Sequence, residues 1–206
     1  YQGEDDTAKT EHYDVLLTAM VMRLRQLFRD DSLPFLNVQL PMWIAAGDED
    51  KHDWARLRLA QARAAIALQP GGLAILLDCG EFDNIHPTDK RTPGERLCDV
   101  ALRVVYGMDA PESPRALGKY TQGDTLVVTL SAPVLRRETG ELLLEIAGED
   151  GAYHPVQSVT LDGAEMRLRS VAVLHPAKVR YAYVNWGKVS LFGRNGLPLA
   201  PFAFEG

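Results

Sequence analysis

Leu73-Ala74-Ile75-Leu76-Leu77-Asp78 is the segment most diagnostic of the fold class. It is a continuous apolar run of strand length, and Pro70-Gly71-Gly72 breaks the preceding helical pattern directly before it. Continuous apolar runs are typical of strands in parallel sheets, because helices bury both faces of such a sheet. The stretch therefore predicts a buried strand of an α/β layer structure.

Helical and strand-like patterns alternate around this run. Apolar residues recur at helical spacing over 11–30, over 54–68 and after Thr88, where Pro93 lies near the start of the third helix. A short strand over 35–40, bounded by prolines, separates the first two helices. The order helix, strand, helix, strand, helix indicates an α/β class.

The character of the sequence changes after Tyr106-Gly107. Residues 108–114 read as a linker with Pro and Asp, and short β-like runs separated by turn signals follow it. The runs cover 125–130, 142–146, 156–161, 166–174 and 179–186. The sequence therefore predicts one domain over 1–108 and an all-β, sandwich-like domain over 109–206.

Charge and composition narrow the classes of function. The net charge of −6 lacks the basic footprint expected of a nucleic-acid-binding protein. No apolar run approaches the roughly 18–20 residues that span a bilayer. The two cysteines, Cys79 and Cys98, are too few for a disulfide framework. Helical spacing to Leu102 and Val105 favours a buried free thiol at Cys98, and a disulfide between the two cysteines is the alternative.

The sharpest local motif is Asp83-Asn84-Ile85-His86-Pro87, soon after the predicted buried strand. Ligands of open α/β sheets bind at the carboxyl ends of the strands. There Asp83 could orient the imidazole of His86, whose second nitrogen would then take a proton from a nucleophile. The alternatives are a loop-capping aspartate with a surface histidine, or a metal site, although no compact set of His or Cys accompanies the pair.

A second feature is Gln2-Gly3-Glu4. On composition alone this block reads as a frayed polar tail. It becomes a candidate functional block because it occurs together with the Asp–His motif, in a consistent order along the chain.

Several blocks in order resemble the sialate O-acetylesterase family. They are Tyr-Gln-Gly-Glu-Asp-Asp-Thr at 1–7, Leu-Pro-Phe-Leu-Asn-Val-Gln-Leu-Pro at 33–41, the segment 76–90 with its Asp-Asn-Ile-His-Pro, Gly-Glu-Arg-Leu at 94–97, Val-Arg-Tyr-Ala-Tyr-Val-Asn-Trp at 179–186 and Gly-Leu-Pro-Leu-Ala-Pro-Phe at 196–202. The resemblance spans almost the whole chain.

The resemblance implies the C-terminal half of an SGNH-type, three-layer α/β/α (flavodoxin-like) domain, followed by an accessory β domain. It further implies a secreted or periplasmic serine esterase, without cofactor or metal, that removes acetyl groups from sialic acid or plant polysaccharides. His86 would be the general base and Asp83 would orient it. Gln2 would donate to the acyl oxygen, a contribution of roughly 3–4 kcal/mol for such donors. Glu4 would brace the loop.

The chain also departs from the family pattern. The family nucleophile lies in an early Gly-Gln-Ser-Asn block, and none of the six serines here has that context. We therefore expect this chain to supply His86 and Asp83 and to be inactive without an N-terminal segment or separate chain that carries the serine. Asp5 stands where a serine is more usual.

The alternative function is a non-catalytic carbohydrate-binding fragment. Tyr181, Tyr183 and Trp186 would then form an exposed platform for sugar, whereas aromatic residues in strands more often pack a core.

Overall fold

A computed structural model describes residues 1–205 of the chain, so Gly206, the end of the predicted second domain, lies outside the described residues. The chain forms two compact units, the first Tyr1–Glu112 and the second beginning at Ser113. The predicted boundary lies slightly earlier, after Met108. All three α-helices belong to the first unit, and the described part of the second unit contains strands without helices.

The first unit has the predicted alternation of helices and strands. Strands β1 (Phe35–Val38) and β2 (Gly71–Ala74) pair in parallel. The helices are α1 (Tyr13–Phe28), α2 (Asp53–Ala67) and α3 (Arg91–Val104), and 3₁₀ turns cover Glu4–His12. With the antiparallel sheets of the second unit, this confirms a mixed α/β fold.

Helices cover both faces of the two-stranded sheet. Successive side chains of a strand point to opposite faces. Accordingly Phe35 packs with Val21 of α1 on one face, whereas Leu36 and Val38 pack with Val100 of α3 on the other. The two strands therefore lie between two helical layers.

The predicted strand at 73–78 is wrong in its bounds, because β2 ends at Ala74. The chain turns after this residue, and the Leu76 carbonyl accepts a hydrogen bond from the Cys79 N–H at 3.0 Å. Leu76 and Leu77 are buried in this turn rather than in a ladder. An apolar run shows burial, but the length of the neighbouring strand decides where pairing stops.

The burial predicted for Cys98 beside Val105 on the third helix is not found. Val100 is only 2% exposed and packs with the half-buried Leu97 and Val104, whereas Val105 is exposed. The predicted burial of Cys98 is wrong, because its side chain lies on the exposed side of this helix. Both cysteines of the chain are free thiols, so the predicted disulfide alternative is not formed.

The second unit is built from antiparallel sheets. Its sheet orders are β3-β4-β9-β8, β12-β10-β6-β7 and β11-β5. The strands are β3 (Ala116–Gln122), β4 (Thr125–Leu130), β5 (Val134–Arg136), β6 (Leu144–Ala147), β7 (His154–Pro155), β8 (Ser158–Asp162), β9 (Glu165–Arg169), β10 (Lys178–Tyr181), β11 (Leu191–Gly193) and β12 (Phe202–Phe204). The predicted all-β character is confirmed for the described residues, and the sandwich arrangement of the sheets stays a prediction.

Two predicted strands of this unit end early, and five others, two to seven residues long, were not predicted. The run over 179–186 stops at Tyr181, because Ala182 adopts a left-handed backbone with φ of 54°. The run over 166–174 stops at Arg169. The strands absent from the sequence-based prediction are β3, β5, β7, β11 and β12.

The aromatic residue of β10, Tyr181, belongs to the interior. Tyr181 is 1% exposed, and its ring lies 5.7 Å from that of Phe202. The predicted sugar platform is therefore wrong for Tyr181. Tyr183 and Trp186 are half-buried.

No helix in the described chain has both the length and the apolar character needed to cross a membrane. The described residues also contain no group of three or more His, Cys, Asp or Glu side chains placed to hold a metal ion.

Candidate functional site

The candidate site lies at the carboxyl ends of β1 and β2. Two segments leave the sheet there, the first edge loop (residues 39–52) and the second edge loop (residues 75–90). Since parallel strands end at the same edge, these loops are neighbours, and this is where α/β proteins place ligand-binding residues.

A glycine allows the two edge loops to come into direct contact. A Cβ atom at Gly80 would lie 1.9 Å from the Met42 carbonyl oxygen, so no other residue fits without moving the backbone. The Asp83 N–H also donates to the Ile44 carbonyl at 3.1 Å. The first edge loop thereby holds the segment that carries Asp83 and His86.

Asp83 is bonded to the first edge loop. Its Oδ1 accepts a hydrogen bond from the Ala46 N–H at 2.8 Å, and its backbone is left-handed with φ of 58°. The side chains of Asp83 and His86 are both exposed. Among the described hydrogen bonds none joins the Asp83 carboxylate to the His86 imidazole, so Asp83 acts here as a loop cap and its pairing with His86 stays a prediction.

His86 is held through its backbone rather than through its ring. The His86 N–H donates to the Asn84 Oδ1 at 3.1 Å. Asn84 Nδ2 in turn donates to Glu81 Oε2 at 2.6 Å. On the far side of His86, the other oxygen of Glu81 accepts from the Thr88 N–H at 2.7 Å and from the Thr88 hydroxyl at 2.6 Å. The sequence analysis gave Glu81 no role.

An ion pair ties the start of the second edge loop to α3. Arg96 donates to both oxygens of Asp78, at 2.6 and 2.8 Å, and also to the Ile75 carbonyl at 2.7 Å. Bidentate pairs of this kind add geometric specificity as well as energy. The resemblance included Arg96 in its Gly-Glu-Arg-Leu block but assigned it no function.

Gln2 is fixed, contrary to the alternative of a frayed tail. Its carbonyl accepts from the hydroxyl of Tyr13 at 3.0 Å and from Gln61 Nε2 at 2.9 Å. Its side-chain amide donates to Asp6 Oδ2 at 2.5 Å. The amide that the resemblance assigns to the acyl oxygen therefore bonds a carboxylate in this conformation.

Gly3 lets this block pack against the core. Its φ is 146°, and an added Cβ would lie 2.7 Å from Leu57 Cδ2 and 3.5 Å from Leu40 Cδ1. Leu40 belongs to the first edge loop. The Gln2 block is thus anchored beside the carboxyl end of β1, and the next residue, Glu4, begins the 3₁₀ turns.

The first unit contains one serine, Ser32, and it lies at the wrong edge of the sheet. Ser32 precedes β1, whereas Asp83 and His86 follow β2, and a parallel pair of strands separates the two edges. The Ser32 hydroxyl donates to Asp30 Oδ1 at 2.6 Å. Ser32 is therefore not placed to react with His86.

Cys79, four residues before Asp83 in the sequence, is also unsuitable as a nucleophile. Burial, followed by the charge of Asp78, raises the pKa of the Cys79 thiol to about 12. A thiol with such a pKa is protonated at neutral pH, and the thiolate is the reactive form. The first unit thus supplies a candidate base without a candidate nucleophile beside it.

No protein-family model and no curated protein matches the sequence. Among solved structures, the chain is similar to the crystal structure of XAC1771, a novel carbohydrate acetylesterase from Xanthomonas citri, with 33% sequence identity and a TM-score of 0.85. The match covers 93% of this chain and 46% of that chain. The chain thus spans about half the length of the structure that it matches, and it shares that fold over nearly all of its own length.

Proposed function

We propose that this chain is part of a carbohydrate O-acetylesterase of the serine type. The observation that carries the proposal is the likeness, at 33% identity over 93% of the chain, to a structure described as a carbohydrate acetylesterase. The order of sequence blocks that resemble the sialate O-acetylesterases supports the same reaction. The acetylated sugar or polysaccharide is the substrate in this proposal.

His86 is the proposed general base. Its exposed position in a loop at the carboxyl edge leaves the ring open to a substrate. One carboxylate oxygen of Asp83 accepts a hydrogen bond from the Ala46 N–H. The second oxygen is the proposed acceptor for an imidazole N–H of His86. That bond would select the tautomer whose other nitrogen accepts a proton.

The reaction needs a serine that the first unit does not place near His86. We propose that a segment outside this chain supplies it, as an N-terminal part of the same polypeptide or as a separate chain. The serine oxygen attacks the acetyl carbonyl while His86 takes its proton. His86 then returns the proton to the sugar oxygen that leaves, and water releases the acetate from the serine by the same route.

Gln2 is the proposed donor to the acyl oxygen. Its block is anchored through the backbone by Tyr13 and Gln61, so the side chain can exchange Asp6 for a substrate without moving the main chain. Preorganised donors of this kind stabilise the charge that develops on the oxygen.

The finer assignments rest on the sequence resemblance. They are an SGNH-type three-layer core for the first unit, an accessory role for the second unit, and a secreted or periplasmic location.

Labelling with a fluorophosphonate tests the proposal on the full-length product of the gene that encodes this chain. We expect one serine to be labelled, at a position outside this chain, and His86→Ala to abolish the labelling. His154→Ala is the matched control, because this histidine lies in the second unit and should leave labelling unchanged. Peptide mapping of the labelled protein identifies the serine.

Acetate release provides the second readout. Acetylated xylan and O-acetylated sialic acid are offered separately, and His86→Ala should abolish release from whichever polymer or sugar is cleaved. Labelling of Ser32, or acetate release that is unchanged in His86→Ala, contradicts the proposed mechanism.

A further inference from the structure

We propose that Glu81 is a positioning residue that holds the backbone of the His86 loop in its working shape. The inference rests on the proposed function, since it assigns a role beside the proposed general base. It comes from the hydrogen bonds within residues 81–88, which are independent of the comparison with other proteins.

Glu81 joins the two sides of the His86 loop. Its Oε2 accepts from Asn84 Nδ2, two residues before His86, and its Oε1 accepts from the N–H and the hydroxyl of Thr88, two residues after His86. The Asn84 N–H also donates to the Glu81 carbonyl, at 3.4 Å. One carboxylate thereby closes the loop around the histidine.

Asn84 carries this constraint to His86 itself. While its amide nitrogen is held by Glu81, its amide oxygen accepts the His86 N–H. The negative charge of Glu81 therefore sets the orientation of the Asn84 amide, and this orientation points the amide oxygen at the His86 N–H. Hydrogen bonds to an ionised acceptor are shorter and stronger than neutral ones, and the distances of 2.6–2.7 Å at Glu81 fit that class.

The rest of the loop depends on this closure because the loop contains little other regular structure. Residues 75–90 lie outside helices and named strands, and the His86 side chain is exposed. Gly80 and Asp83 are anchored to the first edge loop, whereas Asn84, His86 and Thr88 are held by bonds that lead to Glu81. These bonds make the position of His86 depend on the Glu81 carboxylate. Since a misplacement of about 1 Å can lower the rate of a reaction by about a hundredfold, the rate also depends on Glu81.

Glu81→Gln is the direct test, made in the full-length product of the gene. A glutamine has one accepting oxygen, so its NH₂ group must face a donor of either Asn84 or Thr88. We expect amide hydrogen exchange over residues 82–88 to become about tenfold faster, as for the loss of one bond to a charged group. On acetyl-ester hydrolysis, kcat should fall at least about tenfold with little change in KM.

Glu95→Gln is the matched control. Glu95 is likewise a carboxylate that accepts a hydrogen bond within its own segment, here from Arg91, but it lies on the exposed side of α3. It should leave loop exchange and kcat at the wild-type values.

A pair of variants at Thr88 separates positioning from general loss of folding. Thr88→Val removes the hydroxyl donor to Glu81 and should lower kcat, whereas Thr88→Ser restores the hydroxyl and should recover it. Recovery by serine requires an intact fold and a specific bond.

The outcomes of the two proposals are distinguishable. Unchanged amide exchange over residues 82–88 in Glu81→Gln overturns the positioning role, and so does a loosened loop with unchanged kcat in an active enzyme. A protein in which the loop loosens in Glu81→Gln but which releases no acetate refutes the esterase function. Acetate release that is unchanged in His86→Ala refutes the role of His86 as base. Either result leaves Glu81 as the residue that closes the loop.

Discussion

The two units satisfy their backbone polar groups in different ways. In the second unit, β4 pairs along its length with β3 and β9, and the side chains of Leu126, Val127 and Val128 are fully buried. In the first unit the only ladder is four residues long, so side chains supply hydrogen bonds to backbone groups that no strand pairs. Arg25 is 3% exposed and donates to the backbone carbonyls of four residues.

This difference predicts which kind of substitution destabilises each unit most. Ladders tolerate changes of polar side chains but depend on apolar packing, because the backbone supplies their hydrogen bonds. Loops that are held by single side chains lose several bonds in one substitution, and a buried group left without a partner costs about 1–3 kcal/mol. The candidate site lies in loops of the first unit that single side chains hold.

The largest expected effect is at Arg25. Arg25→Met keeps the apolar stem but removes the donors to the carbonyls of Leu33, Leu68, Gln69 and Pro70. We expect the free energy of unfolding, measured by urea denaturation, to fall by roughly 3–5 kcal/mol. Arg23→Met on the exposed side of the same helix is the control and should change it little. An equal loss of unfolding free energy in the two variants would contradict the view that buried side-chain donors hold the first unit together.

The second unit should respond most strongly to loss of apolar volume. Leu168 in β9 is fully buried beside Leu126, and Leu168→Ala should lower the free energy of unfolding by about 3 kcal/mol through the cavity that it leaves. Leu135→Ala offers the same chemistry at a side chain that is 51% exposed. A cost at Leu135 as large as at Leu168 would contradict the burial argument.

Gln61 tests the polar anchoring of the Gln2 block. Its Oε1 accepts from the Leu40 N–H at 2.9 Å and its Nε2 donates to the Gln2 carbonyl at 2.9 Å. Gln61→Ala should cost about 1–3 kcal/mol of unfolding free energy and speed amide exchange over residues 1–7. Gln26→Ala removes an exposed amide and should do neither.

The smallest expected effect is a pH dependence confined to the His86 loop. Hydrogen bonds from Thr88, followed by the one from Asn84, lower the pKa of Glu81 below its ordinary value of 4.5. Because the folded form has the lower pKa, the loop is held at pH values above the ordinary one, and this stabilisation is lost as the pH falls through the lowered pKa. The exchange of the Thr88 amide, corrected for its intrinsic pH dependence, should rise in that acidic range. Glu81→Gln should show no such transition.

Much of the first unit could be predicted because helical periodicity is a local property. The predicted helices at 11–30 and 54–68 correspond to α1 and α2 within a few residues. The second strand was misplaced, because the apolar run 73–78 continues into a buried turn and only pairing with β1 ends the strand at Ala74. In the second unit the short strands β5, β11 and β12 lack enough residues to show alternation.

The candidate site could be predicted only in part. The positions of Asp83 and His86 after a parallel strand follow from the chain order and from the rule that such strands end at one edge. The carboxylate of Asp83 bonds the first edge loop, 37 residues away in the sequence, and no local pattern shows that contact. The role of Glu81 was missed for the same reason, since its three donors become neighbours only when the loop closes.

Sequence patterns were enough to predict the α/β class, the change to β structure after Tyr106 and the motif that carries His86, because periodicity, turn residues and chain order are local properties. The tertiary structure decided which carboxylate holds the loop, which cysteine is exposed, and that Ser32 lies at the opposite edge from His86. These depend on which segments meet in space, and hydrogen bonds and burial act only between groups that have already been brought together.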